Sequence, residues 1–267
     1  MSSSSLRQEA ASPIDDYPCE HTVNEPALPE VPTEAAGFAH PAPPAAPEAR
    51  IHPNENLSAA VDRFAVEAGV APEVWDGSRK LLDTLARHNP AAYAHSLRGG
   101  YYNYGLELQK PASDRDPAFA LVAAAVHDVG KIGIDNSVLD FHGKFGAAHW
   151  ENIHRHPVIG ADLLKTIDRD ASLVNGLHHA FQADGYGIDL DAAIREYGLD
   201  QAAVTRITGM ARQVMLIDVF DVTLTRRDRG DSMADASPEQ QKLLLLGQFP
   251  DSAAQLDWLF AHRIDEI

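Results

Sequence analysis

Cysteine, positive charge and long apolar runs are all scarce in this chain of 267 residues. Cys19 is the single cysteine, which excludes an intrachain disulfide framework and a thiolate zinc site. Lys and Arg number 22 against 39 Asp and Glu, and the net charge of −17 argues against broad binding of nucleic-acid phosphates. No apolar run approaches the roughly 18 residues of a membrane span, and the first residues lack a secretory signal pattern. We therefore expect a cytoplasmic protein without membrane insertion.

Residues 1–53 differ in composition from the rest of the chain. They contain 10 of the 17 prolines, together with Ser, Ala and Glu and few large apolar side chains. Such a segment buries too little apolar surface to offset the entropy lost on ordering. We predict a disordered, acidic, Pro-rich tail over 1–53, whose PAPPAAP run is a candidate docking segment for a protein partner.

Residues 54–267 show helical periodicity throughout and no convincing strand alternation. Asn56 or Ser58 is a suitable cap for the first helix, and Pro72 and Pro90 suit the first turns of the next two. The later run PAFALVAAAV is apolar on all sides, which is typical of a buried helix. The prediction is an all-α helical bundle that forms one domain, with a homodimer as a candidate assembly.

Histidine is concentrated in the middle of this domain, where 8 of the 13 lie from His95 to His179. The strongest local signal is the end of the apolar helix, which reads His127-Asp128-Val129-Gly130-Lys131. Burying such groups without partners would cost several kcal/mol, and a divalent metal is the simplest partner for an imidazole and a carboxylate. Asp128 has two oxygens and can bridge two metals, which would clamp a phosphoryl group and lower the pKa of a bridging water.

Two metals need more ligands than His127 and Asp128 supply. The candidates are His95, His156, the adjacent pair His178 and His179, and Asp218. Adjacent side chains diverge by about 100° on a regular helix, so the histidine pair reaches one metal only if the helix ends there. Asp221 lies on the same helical face as Asp218 and is predicted to accept a hydrogen bond from a ligand imidazole.

The other histidines carry weaker signals. His88 and His262 are predicted at the surface, because no neighbouring motif points to a role for them. His154 is two residues from His156 and should point elsewhere on a helix, so it is also predicted at the surface. His142 and His149 are also predicted to be exposed, in a loop from which either can reach a substrate.

The order of these motifs resembles the HD-GYP branch of the HD superfamily. The matching segments, between about residues 90 and 227, are His95-Ser96-Leu97-Arg98, HDVGKIGI, HRHPVIGADLL, His178-His179, DGYG and IDVFD. Members of this family are metal-dependent phosphohydrolases with a helical domain and a di- or trinuclear metal centre, and their best-known activity is hydrolysis of cyclic di-GMP.

The resemblance implies a role for each matching residue. One metal would be held by His95, His127, Asp128 and Asp218, and Asp128 would bridge to a second held by His156, His178 and His179. The expected cofactors are therefore two divalent ions, Fe or Mn first, with Zn, Mg, Ni and Co as alternatives. Lys131 and Asp128 would be the catalytic residues. Substrate contacts would come from Lys131, Arg98, Asp184 and Tyr186.

The chain departs from the family at four places. Ala91 replaces the glutamate that serves a third metal, so a third metal is not expected. Ala180 and Gly187 stand where the family has the last residues of its HHE and GYP motifs, so this is a divergent member with GYG in place of GYP. Asp135 replaces a proline after the HD motif.

Three functional hypotheses follow. The first is a phosphohydrolase acting on a small phosphorylated substrate, a phosphodiester or phosphomonoester, with cyclic di-GMP as a candidate. The second is an HD-fold di-iron oxygenase. The third is a non-catalytic signalling module that senses a nucleotide or binds a partner.

Overall fold

The structure, a computed structural model, consists of helices and their connections over the residues that it describes, 49–53, 55–226 and 233–264. No strand occurs in these ranges, which confirms the all-α prediction. The helices are α1 Leu57–Glu67, α2 Pro72–His88, α3 Pro90–Gln109, α4 Pro117–Ala125, α5 Asn136–Leu139, α6 Ala147–Ile153, α7 His156–Leu164, α8 Arg169–Leu177, α9 Leu190–Tyr197, α10 Gln201–Thr225, α11 Pro238–Gln248 and α12 Ala253–Ala261. Short 3-10 helices cover Ala112–Asp114, Val129–Gly133 and Pro250–Ser252.

Side-chain caps and first-turn prolines set the starts of the early helices. Asn56 caps α1 by accepting a hydrogen bond from the backbone N–H of Ala59 at 2.9 Å, which decides between the two predicted caps. Asn89 caps α3 in the same way, and Pro90 follows it in the first turn. These positions are favourable because the first N–H groups of a helix have no partner within the helix.

Helix α4 is the centre of the domain and separates two hydrophobic cores. Its Leu121, Val122 and Ala125 face a core formed with α1, α3 and α10, in which Phe64 and Phe220 are fully buried. The opposite face packs with α8 and α10 around Leu173, Val174, Leu177, Ile207 and Val214. Each fully buried Leu or Phe contributes about 1.5–3 kcal/mol, so α4 is fixed from both sides. Whatever follows its last residue is therefore held in the interior.

Most of the segment predicted as a tail, 1–53, lies outside the described residues. Its last five residues are described, and there the chain is in contact with the helical domain. Ala49 is only 3% exposed, and the carbonyl of Arg50 accepts a hydrogen bond from Arg63 Nη2 at 2.7 Å. None of the described helices is both long enough and apolar enough to cross a membrane.

Candidate metal centre

The residues His127 and Asp128 lie just beyond the end of α4, where the chain tightens into the 3-10 helix Val129–Gly133. Both side chains are buried, because α4 itself is buried. His156 is the first residue of α7, and His178 directly follows Leu177, the last residue of α8. The regular helix thus ends before the histidine pair, which is the condition under which both rings can reach one site.

The seven predicted ligands come together in the structure. The candidate ligand atoms of His95, His127 and Asp128 lie within 4.8 Å of one another, and so do those of His156, His178 and His179. Asp218 lies between the two groups: its Oδ1 is 3.1 Å from His95 Nε2, and its Oδ2 is 3.7 Å from His179 Nε2. All seven side chains are buried. The resemblance assigned Asp218 to the first group only, whereas the structure places it beside both.

Three of the histidines are held in one tautomer by backbone carbonyls. In each, ring Nδ1 faces the carbonyl three residues earlier, at 2.7 Å for His127 to Ala124, 2.6 Å for His156 to Ile153 and 2.5 Å for His178 to Asn175. A carbonyl only accepts, so Nδ1 must be the N–H donor and Nε2 carries a lone pair when the ring is neutral. Burial lowers the pKa of all three rings, that of His156 to about 3. Neutral imidazoles with a free Nε2 are what a divalent metal requires.

The geometry of these nitrogens fits a bound cation. His156 Nε2 and His178 Nε2 are 3.3 Å apart, although each is a lone-pair atom in the tautomer fixed by its carbonyl. Two such atoms repel unless a cation lies between them. The buried Nδ1 of His179 has no hydrogen-bond partner in the described part of the chain, and an orphaned nitrogen of this kind costs about 1–3 kcal/mol. A metal ion between the two Nε2 atoms would remove their repulsion.

Asp128 faces both histidine groups at once. Its Oδ2 is 3.4 Å from His95 Nε2 and 3.6 Å from His127 Nε2, whereas its Oδ1 is 3.3 Å from His156 Nε2. Burial would raise the pKa of this carboxyl, but the charge of Lys131 and the adjacent imidazoles lower it well below its usual range. Asp128 is therefore a carboxylate with one oxygen for each group, the arrangement of a bridging ligand.

His95 is oriented by side chains instead of a carbonyl. Asp221 Oδ2 accepts its Nδ1–H at 2.7 Å, as predicted for Asp221, and the same carboxylate accepts two hydrogen bonds from Arg98, at 2.6 Å from Nε and 2.8 Å from Nη2. Burial would raise the pKa of Asp221, but these hydrogen bonds lower it. Two nitrogens of Arg98 thus bond to Asp221. Arg98 also lines the adjoining cavity, and its predicted contact with substrate stays a prediction.

Lys131 and Gly130 complete the HD segment. Lys131 Nζ donates a hydrogen bond to Asp128 Oδ2 and lines the adjoining cavity. Gly130 permits a close approach: a Cβ there would lie 1.9 Å from the carbonyl oxygen of His156 and 2.5 Å from the backbone nitrogen of Gly160. Its φ is not positive, so contact with α7 explains the glycine, and a tight turn does not. The absent side chain lets the HD segment lie against the start of α7.

The substitution Gly130→Ala is expected to lower the free energy of unfolding by about 3 kcal/mol, because α7 must move away from the 3-10 helix. Urea unfolding followed by circular dichroism measures the effect. Gly209→Ala is the matched control: this exposed glycine in α10 has no atom within 4 Å of the added Cβ, so alanine should stabilise by about 1 kcal/mol. Equal midpoints for Gly130→Ala and the unchanged protein would contradict the prediction.

A cavity of about 820 Å³ opens onto the candidate metal ligands. Its wall contains His95, His156, His179 and Asp218, together with Lys131 and Arg98. The same wall has an apolar part, which contains Val138, Leu139, Phe145, Trp150 and Ile153. Ala91, at the position of the family's third-metal glutamate, also lines the cavity and offers no ligand atom. The volume lies within the range of small-molecule sites, about 300–1,000 Å³.

The segment that carries the GYG motif packs against the ligand His179. The Tyr186 ring stacks on His179 with 4.6 Å between ring centroids, and on its other side it stacks on His154 at 3.9 Å. His154 is therefore half-buried, and its prediction as a surface residue was wrong, because the spacing from His156 gave no sign of Tyr186. Asp184 is exposed and does not line the cavity; its predicted contact with substrate stays a prediction. Gly187 has a φ of 128°.

Three more histidines differ from the sequence prediction. His149, predicted to be exposed in a loop, is half-buried in α6 and stacks on Phe145 with 5.2 Å between ring centroids. His88 is half-buried and bonds through Nε2 to the carbonyl of Ile134 at 2.8 Å, and His262 bonds to the carbonyl of Trp258 and stacks on its ring. These contacts depend on residues brought together by the fold or on a helix end. His142 is exposed, as predicted, and it lines the cavity, from which it can reach a substrate.

Comparison with known proteins identifies the central part of the chain. Residues 92–223 match the HD domain family, and this range contains all seven candidate ligands. The chain is 28% identical to 3'3'-cGAMP-specific phosphodiesterase 3 of Vibrio cholerae over 150 residues, which is 55% of this chain and 30% of that protein.

Two further relatives are similar to the same extent. Over 148 residues the chain is 28% identical to cyclic di-GMP phosphodiesterase PA4108 of Pseudomonas aeruginosa, covering 55% of this chain and 33% of the relative. Over 162 residues it is 30% identical to the cyclic di-GMP phosphodiesterase response regulator RpfG of Xanthomonas campestris pv. campestris, covering 58% and 40%. The chain thus spans two fifths or less of the length of these relatives.

Proposed function

Because the chain belongs to the HD superfamily, we propose that it is a metal-dependent phosphohydrolase with a dinuclear centre at the two histidine groups. The observation that carries this proposal is the position of Asp128, whose two oxygens face different groups at 3.3–3.6 Å. A carboxylate that was only part of a buried ion pair would have no need of imidazole lone pairs on both sides. Fe and Mn suit a ligand set of imidazoles and carboxylates, with Zn, Mg, Ni and Co as alternatives.

Each side chain of the proposed centre has its own role in hydrolysis. Bound divalent ions would supply hydroxide at neutral pH and neutralise charge on the phosphoryl group. His95, His127, His156, His178, His179, Asp128 and Asp218 would hold those ions. Asp221 fixes the orientation of His95, and backbone carbonyls fix three other rings. Lys131, on the cavity wall beside Asp128, stabilises the negative charge that develops on the substrate.

The proposed substrate is a phosphodiester of nucleotide size, and a cyclic dinucleotide is the first candidate. The relatives whose names specify cyclic di-GMP or 3'3'-cGAMP support this class. The cavity supports it as well, because 820 Å³ is far more than a phosphate beside two metal ions occupies. The GYG segment differs from the GYP motif of the family. Which cyclic dinucleotide is the substrate therefore remains part of the proposal.

The test begins with metal analysis of protein purified without oxygen, followed by reconstitution with Fe or Mn. The reconstituted protein is expected to hydrolyse cyclic di-GMP, 3'3'-cGAMP or a generic phosphodiester, and His127→Ala is expected to be inactive. If no substrate in the panel is cleaved faster by the unchanged protein than by His127→Ala, hydrolysis is the wrong function. Oxygen consumption that depends on an organic substrate would favour the oxygenase instead.

A further inference from the structure

A row of stacked rings leads from the metal centre into the apolar part of the cavity. It begins at the ligand His179 and continues through Tyr186 and His154, whose planes are inclined by only 21° at each step. The His154 ring is followed by Trp150, with 5.5 Å between centroids, and Trp150 by Phe145 at 5.1 Å and 72°. The row ends in α6 and the loop before it, where Trp150 and Phe145 line the cavity.

Trp150 is the unusual member of this row. It lines the cavity and is 44% exposed, whereas Phe145 beside it is buried. A tryptophan held by its neighbours and open to a cavity presents a large flat surface to whatever enters. Exposed apolar surface of this kind, at the rim of a polar site, is typical of ligand recognition.

The polar and apolar lining residues of the cavity suit the two parts of a nucleotide. The candidate metal ligands and Lys131 would take the phosphate, and the apolar residues with Trp150 line the same cavity. A substrate that was only a phosphate ester of a small alcohol would leave that apolar surface in contact with water. A nucleobase would cover it, because every base has a flat π-face that stacks on an aromatic ring.

We infer that Trp150 is a stacking platform for a nucleobase of the substrate and thus a specificity-determining residue of this site. The inference rests on the proposed function for the position of the phosphate. Stacking on one aromatic side chain is typically worth about 5- to 150-fold in affinity. The contact recognises the flat base and gives no preference for the sugar or the phosphate.

The experiment compares two probes on the metal-loaded, full-length protein, namely GMP and ribose 5-phosphate, which has the phosphate and the sugar without a base. Calorimetry measures the Kd of each. Trp150→Ala is expected to weaken the binding of GMP by about 5- to 150-fold and to leave the affinity for ribose 5-phosphate unchanged. Trp150→Phe keeps an aromatic face and is expected to retain most of the affinity for GMP.

Tryptophan fluorescence provides a second measurement, which would not change on ligand binding if Trp150 had only a structural role. The chain has three tryptophans, and of these only Trp150 lines the cavity within the described residues. GMP is expected to quench the emission of the unchanged protein and of Trp75→Phe, which alters a buried tryptophan in α2, but not that of Trp150→Phe.

The inference is overturned if Trp150→Ala binds GMP as tightly as the unchanged protein, or weakens both probes equally. The two proposals fail separately. Base-dependent binding through Trp150 without hydrolysis of any phosphoester would contradict the proposed hydrolase function and support the stacking role of Trp150. Hydrolysis of cyclic dinucleotides with kcat/KM unchanged in Trp150→Ala would support the hydrolase function and contradict the stacking role.

Discussion

Asp128→Asn is expected to lower kcat for phosphodiester hydrolysis by at least about 10³-fold, or ~4 kcal/mol of transition-state stabilisation. Asparagine has nearly the same shape but one oxygen and no charge, so it presents an NH₂ group to one of the two histidine groups. That group donates hydrogen bonds and has no lone pair for a cation. The variant loses the bridge while the volume at the end of α4 is retained.

Metal content separates this explanation from a general loss of structure. Asp128→Asn should retain fewer ions per chain than the unchanged protein, by elemental analysis, with the helical circular dichroism spectrum preserved. Asp162→Asn is the control, because this aspartate is 71% exposed in α7 and its ion pair among the described residues is with Lys165, so kcat and metal content should stay the same. A variant at position 128 that kept both metals and activity within tenfold would contradict the bridging role.

Asp221→Ala is expected to lower the free energy of unfolding by about 3–5 kcal/mol and to weaken metal binding by about 10- to 100-fold. Asp221 is fully buried and accepts hydrogen bonds from His95 and Arg98. Its removal leaves a guanidinium without its carboxylate and a ligand imidazole without the group that orients it. The unpaired guanidinium destabilises the fold, and the loss of orientation at the imidazole weakens metal binding.

An Asp–Arg pair at the surface provides the comparison. Asp83 pairs with Arg79 at 3.1 Å within α2, but its side chain is 50% exposed, so Asp83→Ala should cost no more than about 1 kcal/mol. Urea unfolding in the presence of chelator measures the metal-free fold, and competition with a chromogenic chelator measures the metal affinity. A loss for Asp221→Ala no larger than that for Asp83→Ala would show that the buried pair does not support the site.

The fold could be predicted well because its signals are local. Asn56 as a cap, Pro72 and Pro90 in first turns, and the apolar run of α4 each depend on neighbours in sequence, and the structure confirms them. The contact of Ala49 with the domain was missed, since nothing in a Pro-rich stretch indicates which of its residues meets a distant core.

The candidate metal ligands could also be proposed from the sequence, since they follow from the order of the motifs, and the structure brings them together. Asp221 was expected beside an imidazole, and it bonds to His95. Details that depend on tertiary contacts could not be predicted from the sequence. The tautomers of three ligands depend on carbonyls at helix ends, and the stacking of His154 depends on a loop thirty residues away. The hydrogen bonds from Arg98 to Asp221 could not be predicted, because Asp221 lies on another helix. The reason for Gly130 could not be predicted, because only the structure shows what a Cβ would meet.

The conformation of Gly187 limits how this chain can be related to its family by mutation. Its φ of 128° is far from the value near −65° that a proline ring imposes, and a Cβ would lie 2.1 Å from the carbonyl oxygen of Gly176. The motif GYP therefore cannot be restored here by a single codon change. The backbone path has to change together with the residue, so Gly187→Pro would displace the segment whose Tyr186 covers the candidate ligand His179.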